Sequence, residues 1–272
     1  MTARATRPTR FGFGLWTALV VILLWTPLVI VAILSFNTAS SLAWPPTGFT
    51  FKWWSKAVEN QGARSALLIS IRTAIGATAI ALLLGTAASF AVQRFKFFGR
   101  ESVSLLIVLP IALPGIVTGI ALNSAFRQIG ISLGTLTLIV AHATFCVVVV
   151  YNNVLARLRR MSPNLEEASS DLGADMFQTF RFVTFPLMRS ALLAGALLAF
   201  GLSFDEIVVT TFTNGAGTEL QTLPQWILNN LSRGDQQPIV NVVATAVMVF
   251  SIVPVFLAQR LSGGDSGGLA GR

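Results

Sequence analysis

Glu166, Glu167, Asp171 and Asp175 place four of the chain's eleven acidic residues within ten positions, although the flanking segments are basic. An acidic, small-residue segment in a basic neighbourhood has the chemistry of a docking element that enters a groove on another protein. The plainer alternative is a solvated helix that merely joins two elements, but plain connections are shorter, with a median of about 4–6 residues. A second pair of carboxylates, Asp205 and Glu206, lies well inside an apolar run. At the centre of a bilayer each would cost about 2.5–3.5 kcal/mol, so such groups face a cavity or a partner. One reading has at least one of them lining a route and attracting an ammonium group. The other pairs one of them with Arg72, which enters its own apolar run at a similar depth. The single His142 excludes a histidine-cluster metal site, and the single Cys146 excludes an intramolecular disulfide framework. No metal or cofactor is expected. His142, Asn123, Tyr151, Asn152 and Asn153 read as interhelical hydrogen-bonding groups, and Cys146 as a small packing residue.

The elements that position these residues are membrane helices. Only 11% of the residues are charged and 54% are hydrophobic, giving a mean hydropathy of +0.72, a composition that points to lipid as the solvent. Six apolar runs, at 14–36, 66–92, 103–126, 133–155, 190–212 and 239–261, are long enough to cross a hydrocarbon core. The net charge of +8 does not point to nucleic acid, because the basic residues fall in short clusters between apolar runs. With the N-terminus inside, thirteen of the nineteen Lys and Arg fall on cytoplasmic segments. Five (Lys52, Lys56, Arg64, Arg127 and Arg233) fall outside, and Arg72 lies within the second run. This bias predicts cytoplasmic termini. The chain then divides into an N-terminal tail at 1–13, a first membrane helix at 14–36, a core at 66–261 that includes the loop 157–189, and a tail at 262–272. Pro110 and Pro114 predict a kink in the third span, and Gly115 and Gly119 allow close helix approach after it. Short helices are expected in the outer loops at 49–60 and 220–231.

The acidic loop has its own helical grammar. Ser162 and Pro163 form a helix start, Glu166 and Glu167 suit the positive end of the helix dipole, and Gly173 is placed as a left-handed C-cap. Leu165, Ala168, Ser169 and Leu172 line one face at helical spacing. Asp175 and Gln178 have capping-box spacing for a second short helix bearing Met176, Phe177 and Phe180, which Pro186 is expected to separate from the fifth span.

Glu167-Ala168-Ser169, three residues, Gly173, nine residues, then Val183-Thr184-Phe185-Pro186 resembles the signature of ABC importer permeases, with Ser169, Val183 and Phe185 departing conservatively from it. The stretch 202–214 is similar to the spermidine/putrescine-type members. The resemblance covers most of the chain from about Ala66 onward. It implies an all-α polytopic permease of the type I importer fold, with six transmembrane helices and a cytoplasmic coupling helix between the fourth and fifth. It implies as partners a cytoplasmic ABC ATPase homodimer, a second paralogous permease subunit in a heterodimer, an extracytoplasmic solute-binding protein and the lipid bilayer. It makes Glu166, Glu167, Ala168, Ser169, Asp171, Gly173, Phe177 and Pro186 the ATPase-coupling residues, and Asp205 and Glu206 the substrate-pathway residues. The cargo would be a small cationic amine, a polyamine. The same architecture importing 4-aminobutyrate or another solute, and a transporter working without ATP, are the alternatives. The chain has no G-x-x-x-x-G-K-S/T run, so ATP hydrolysis is expected in a partner.

Overall fold

A computed structural model describes residues 7–40, 44–162, 164–215 and 220–263. Among the described residues twelve α-helices and one π-helical turn follow one another, and the only β pairing is an isolated bridge between Asn37 and Phe49. The order is α1 (Arg7–Leu34), α2 (Lys52–Glu59), α3 (Gln61–Arg94), α4 (Arg100–Ala112), α5 (Gly115–Gln128) and α6 (Thr135–Arg160). Then come α7 (Asn164–Asp171), α8 (Met176–Thr179), the π turn (Phe180–Thr184), α9 (Phe185–Phe204), α10 (Val208–Thr213), α11 (Leu223–Asn230) and α12 (Gln237–Gly263). The helices group into two compact units.

The first unit comprises residues 1–63 and 227–249. Its α1 is apolar all round and almost wholly exposed, with Leu23, Leu24 and Trp25 among its uncovered side chains, as a helix whose solvent is lipid can be. After α1 the chain folds back on itself. Trp53 Nε1 donates to the Asn37 carbonyl at 2.8 Å, and the Trp54 ring stacks on Phe36 with 5.3 Å between centroids. Trp53 is therefore buried in a folded cap, where its polar atom has a protein partner.

The second unit comprises residues 64–226 and 250–272 and is built around α6. Ala141, Cys146, Val150, Val154 and Leu158 of α6 are buried against Ala77 and Ala81 of α3 and Met188 and Ala199 of α9. Small residues set how closely these backbones approach. A Cβ on Gly85 would stand 2.9 Å from the Val147 carbonyl oxygen and 3.0 Å from the Tyr151 nitrogen. Neither backbone atom can rotate away. Gly85→Ala is expected to cost about 1–3 kcal/mol through overpacking, read as a lower melting temperature of the detergent-purified protein.

The six expected crossings are not all found. Among the described residues four helices are long and apolar enough to cross a membrane, and the α4–α5 pair makes a fifth if its two halves count as one span. The expected sixth run falls on α12, whose described apolar part, Gln237–Ile252, is shorter than a full crossing. The third run is not merely kinked but bent by 105° between α4 and α5. Pro114 disfavours the helical region for the residue before it, and Leu113 takes φ −83°, ψ 145°. Gly115 and Gly119 then bring α5 onto α10, where a Cβ on Gly119 would meet Phe212 Cβ at 2.9 Å.

The fifth run also departs from expectation at both ends. Pro186 does not separate α8 from the span: Met176–Phe204 is one continuous helix that passes through the π turn. A proline in a helix lacks its N–H and crowds the carbonyl four residues back. Widening the preceding turn, so that Phe185 N–H reaches the Phe180 carbonyl, lets the helix continue. At its other end α9 stops at Phe204, and α10 begins only after Asp205, Glu206 and Ile207.

Candidate functional site

The loop corner forms as its residues dictate. Gly173 has φ +86°, and the Schellman pair is complete: Ala174 N–H donates to the Ser169 carbonyl at 3.1 Å and Gly173 N–H to the Ser170 carbonyl at 2.9 Å. Asp175 then opens α8 with a reciprocal capping box. Gln178 N–H donates to Asp175 Oδ1 at 2.8 Å, and Asp175 N–H donates to Gln178 Oε1 at 3.0 Å. Pro163, the expected first-turn proline, lies outside the described residues, and α7 is observed from Asn164.

The structure splits the expected coupling residues into two sets. Glu166 and Ser169 turn toward their own chain. Ser169 Oγ and Thr179 Oγ1 are 3.1 Å apart and pin α7 to the end of α8. Glu166 Oε1 lies 2.5 Å from Arg94 Nη2 at the end of α3 and accepts from Thr184 Oγ1 at 2.9 Å. Glu167, Ala168, Asp171, Gly173 and Phe177 instead face outward, as does Pro186 in the first turn of α9. They are accompanied by uncovered apolar side chains around the corner: Leu172 is 89% exposed, Met176 88% and Phe177 67%. Flexible, polarizable Met176 beside an aromatic ring, rimmed by Glu167 and Asp171, is the composition of a contact surface for another protein. Composition did not single out Leu172 and Met176 as the most prominent groups. Their position beside the glycine corner is the signal that could have found them.

The membrane carboxylates lie at the break between α9 and α10. Their roles are different. The Glu206 carboxylate accepts the Val209 N–H at 2.8 Å and so satisfies an orphan donor at the start of α10. Asp205 is exposed, and among the described residues its side chain makes no hydrogen bond or ion pair. Arg72 is exposed on α3 and pairs with neither acid: of the two, only Glu206 is engaged, by the Val209 N–H of its own break.

His142 spans the break. Its Nδ1 is 2.8 Å from Ser203 Oγ in α9, its Nε2 is 2.9 Å from Thr210 Oγ1 in α10, and the ring is fully buried. Beyond the break, Asn123, Arg127, Thr211, Phe212, Asn214 and Gln225 are among the residues lining an open cleft of about 410 Å³. Asn123 Nδ2 donates to the Phe212 carbonyl, while its Oδ1 accepts from Arg127 Nε at 2.8 Å. What the arrangement can do is hold a broken membrane helix open and present a carboxylate and a set of amides along it.

Residues 77–263 match the family described as "Binding-protein-dependent transport system inner membrane component". Over 240 residues the chain is 34% identical to the spermidine/putrescine transport system permease protein PotC of Escherichia coli K12, covering 88% of this chain and 89% of that protein. Over 245 residues it is 31% identical to the putrescine transport system permease protein PotI of the same strain, covering 88% and 86%. Among solved structures it is similar to a chain of a bacterial ABC transporter that imports the acidic polysaccharide alginate. That likeness has a TM-score of 0.71 and 16% identity, and covers 97% and 99% of the two chains.

Proposed function

The chain belongs to the binding-protein-dependent transport system inner membrane components, as the permease subunit of an ABC importer, and on that premise we propose that it forms half of a translocation pathway for a small polyamine. The cargo class follows the PotC and PotI relatives, and Asp205 supplies a free carboxylate suited to an ammonium group. Its partners are a cytoplasmic ABC ATPase homodimer, a paralogous permease and an extracytoplasmic solute-binding protein. Both termini lie in the cytoplasm, as the distribution of Lys and Arg predicts.

The observation that carries the ATP-driven reading is the uncovered corner of Leu172, Met176 and Phe177, rimmed by Glu167 and Asp171. It is the surface on which the ATPase docks. ATP closes the two ATPase subunits, their displacement reaches α7 and α8, and the membrane helices alternate between outward and inward access. The corner must contact the ATPase differently in the two states, since equal contacts shift no equilibrium.

The test is co-purification of the whole transporter carrying Phe177→Glu. Loss of a hot-spot contact costs about 2 kcal/mol or more, so with Phe177 in that role ATPase recovery and polyamine uptake are both expected to fall by roughly tenfold or more. Normal recovery of the ATPase with this variant would refute the docking assignment. Uptake of labelled putrescine and spermidine by the wild-type transporter tests the cargo; transport of 4-aminobutyrate and of neither polyamine would replace it.

A further inference from the structure

One oxygen of Glu166 joins three elements that are distant in sequence. Oε1 contacts Arg94 Nη2 at the cytoplasmic end of α3, at 2.5 Å, and Thr184 Oγ1 at the end of the π turn, at 2.9 Å. Both charged side chains are largely shielded, at 23% and 24% exposure, so the pair is less screened than one in open water. Among the described residues no other ion pair is formed with a carboxylate of the corner.

Displacement of α7 can reach the membrane by a covalent route, shortened at the glycine by the Ser169–Thr179 contact, and by a side-chain route. The covalent route runs through the Gly173 corner, α8 and the π turn into α9. It passes through a left-handed glycine and a widened helical turn, the two most easily deformed points of the segment. The other route is the Glu166 carboxylate, which bypasses both. It reaches α3 directly through Arg94 and fixes the far side of the π turn through Thr184. Arg94 and Thr184 are then clamped to the same helix, so α3 and α9 must follow it together. The fork is also incompletely used. Arg94 Nε is buried without a partner, while a single Glu166 oxygen takes both bonds. A guanidinium can engage a carboxylate through two parallel bonds, so this pair has a second bonding register to move into.

We propose that Glu166 is a positioning residue of transport, a strut that passes motion of α7 to α3 through Arg94 and to α9 through Thr184, and not a contact to the ATPase. This rests on the docking reading given above but assigns Glu166 the opposite face of the same helix. Glu167 and Asp171, on the outward face, remain with the partner.

The experiment uses the complete transporter in proteoliposomes, with ATP hydrolysis, polyamine uptake and ATPase co-purification measured together. Glu166→Gln and Arg94→Gln should each lower uptake per ATP hydrolysed by roughly tenfold, within the 5–150-fold range of ordinary coupling energies, while the ATPase still co-purifies in full. The charge exchange Arg94→Glu with Glu166→Arg should recover a substantial part of the lost ratio, and Thr184→Val should lower it by a smaller factor. Unchanged uptake per ATP in both single variants would overturn the strut. Loss of ATPase co-purification in Glu166→Gln would overturn it as well, because it would place Glu166 at the partner interface. Failure of the docking reading looks different: Phe177→Glu would retain its ATPase.

Discussion

Gly173→Val should reduce ATP-driven uptake by about tenfold or more, whereas Gly173→Asn should stay close to wild type. The structure gives the reason. Gly173 holds φ +86°, and a Cβ built on it meets no heavy atom within 4 Å. Crowding therefore contributes nothing to the effect, and the whole cost is conformational. An L-residue in the left-handed region costs roughly 1–2 kcal/mol, and a β-branched one is the least able to enter it, while asparagine visits it readily. Valine would move the corner out of this conformation, break the Schellman pair at Gly173 and Ala174, and rotate Leu172, Met176 and Phe177 relative to α7. Uptake and ATP hydrolysis in proteoliposomes, compared across Val, Ala and Asn, check the ranking. Full coupled uptake with valine would show that the turn geometry is not what presents the corner.

The second large effect separates two neighbouring carboxylates. Asp205→Asn is expected to raise the apparent substrate constant for a dicationic amine by roughly tenfold. A close charge pair is worth on the order of 1–4 kcal/mol at 4 Å in polar surroundings, and 1.4 kcal/mol is a factor of ten. Glu206→Gln should change it little. The amide oxygen of glutamine can still accept the Val209 N–H at the start of α10, whereas Glu206→Ala removes that acceptor and should lower stability by about 1 kcal/mol. Concentration dependence of uptake for the three variants, with a melting curve of each purified transporter, distinguishes loss of attraction from loss of fold. Wild-type kinetics in Asp205→Asn would remove Asp205 from the pathway.

These effects show why parts of the site were legible and others were not. The corner is local. Its Schellman cap, its capping box and its acidic first turn each depend on residues within six positions, so reading Gly173, Asp175 and Gln178 in order was sufficient. Helical spacing placed Leu165, Ala168, Ser169 and Leu172 on one face, but it did not say which side of α7 the chain itself would cover. That is decided by Arg94, seventy-two positions before Glu166, and by Thr179 and Thr184 beyond the glycine. The Arg72 pairing has a similar limit: spacing along the sequence sets depth in two helices but not rotation about their axes.

Hydropathy and local dihedral preference determined that the chain is a helical membrane protein, that its third span is disturbed at its prolines, and that the acidic loop is two helices about a glycine. Each follows from transfer energies or from clashes between adjacent residues, which need no tertiary context. Tertiary structure decided that the fifth span breaks before α10, because, beyond the local bond from Val209 N–H to Glu206, the break is bridged by His142 reaching Ser203 and Thr210 from another helix. It also decided that Glu166 faces inward while Glu167 faces out. Both outcomes depend on a side chain from a distant helix, His142 in the first case and Arg94 in the second, and no periodicity along one chain segment contains that information.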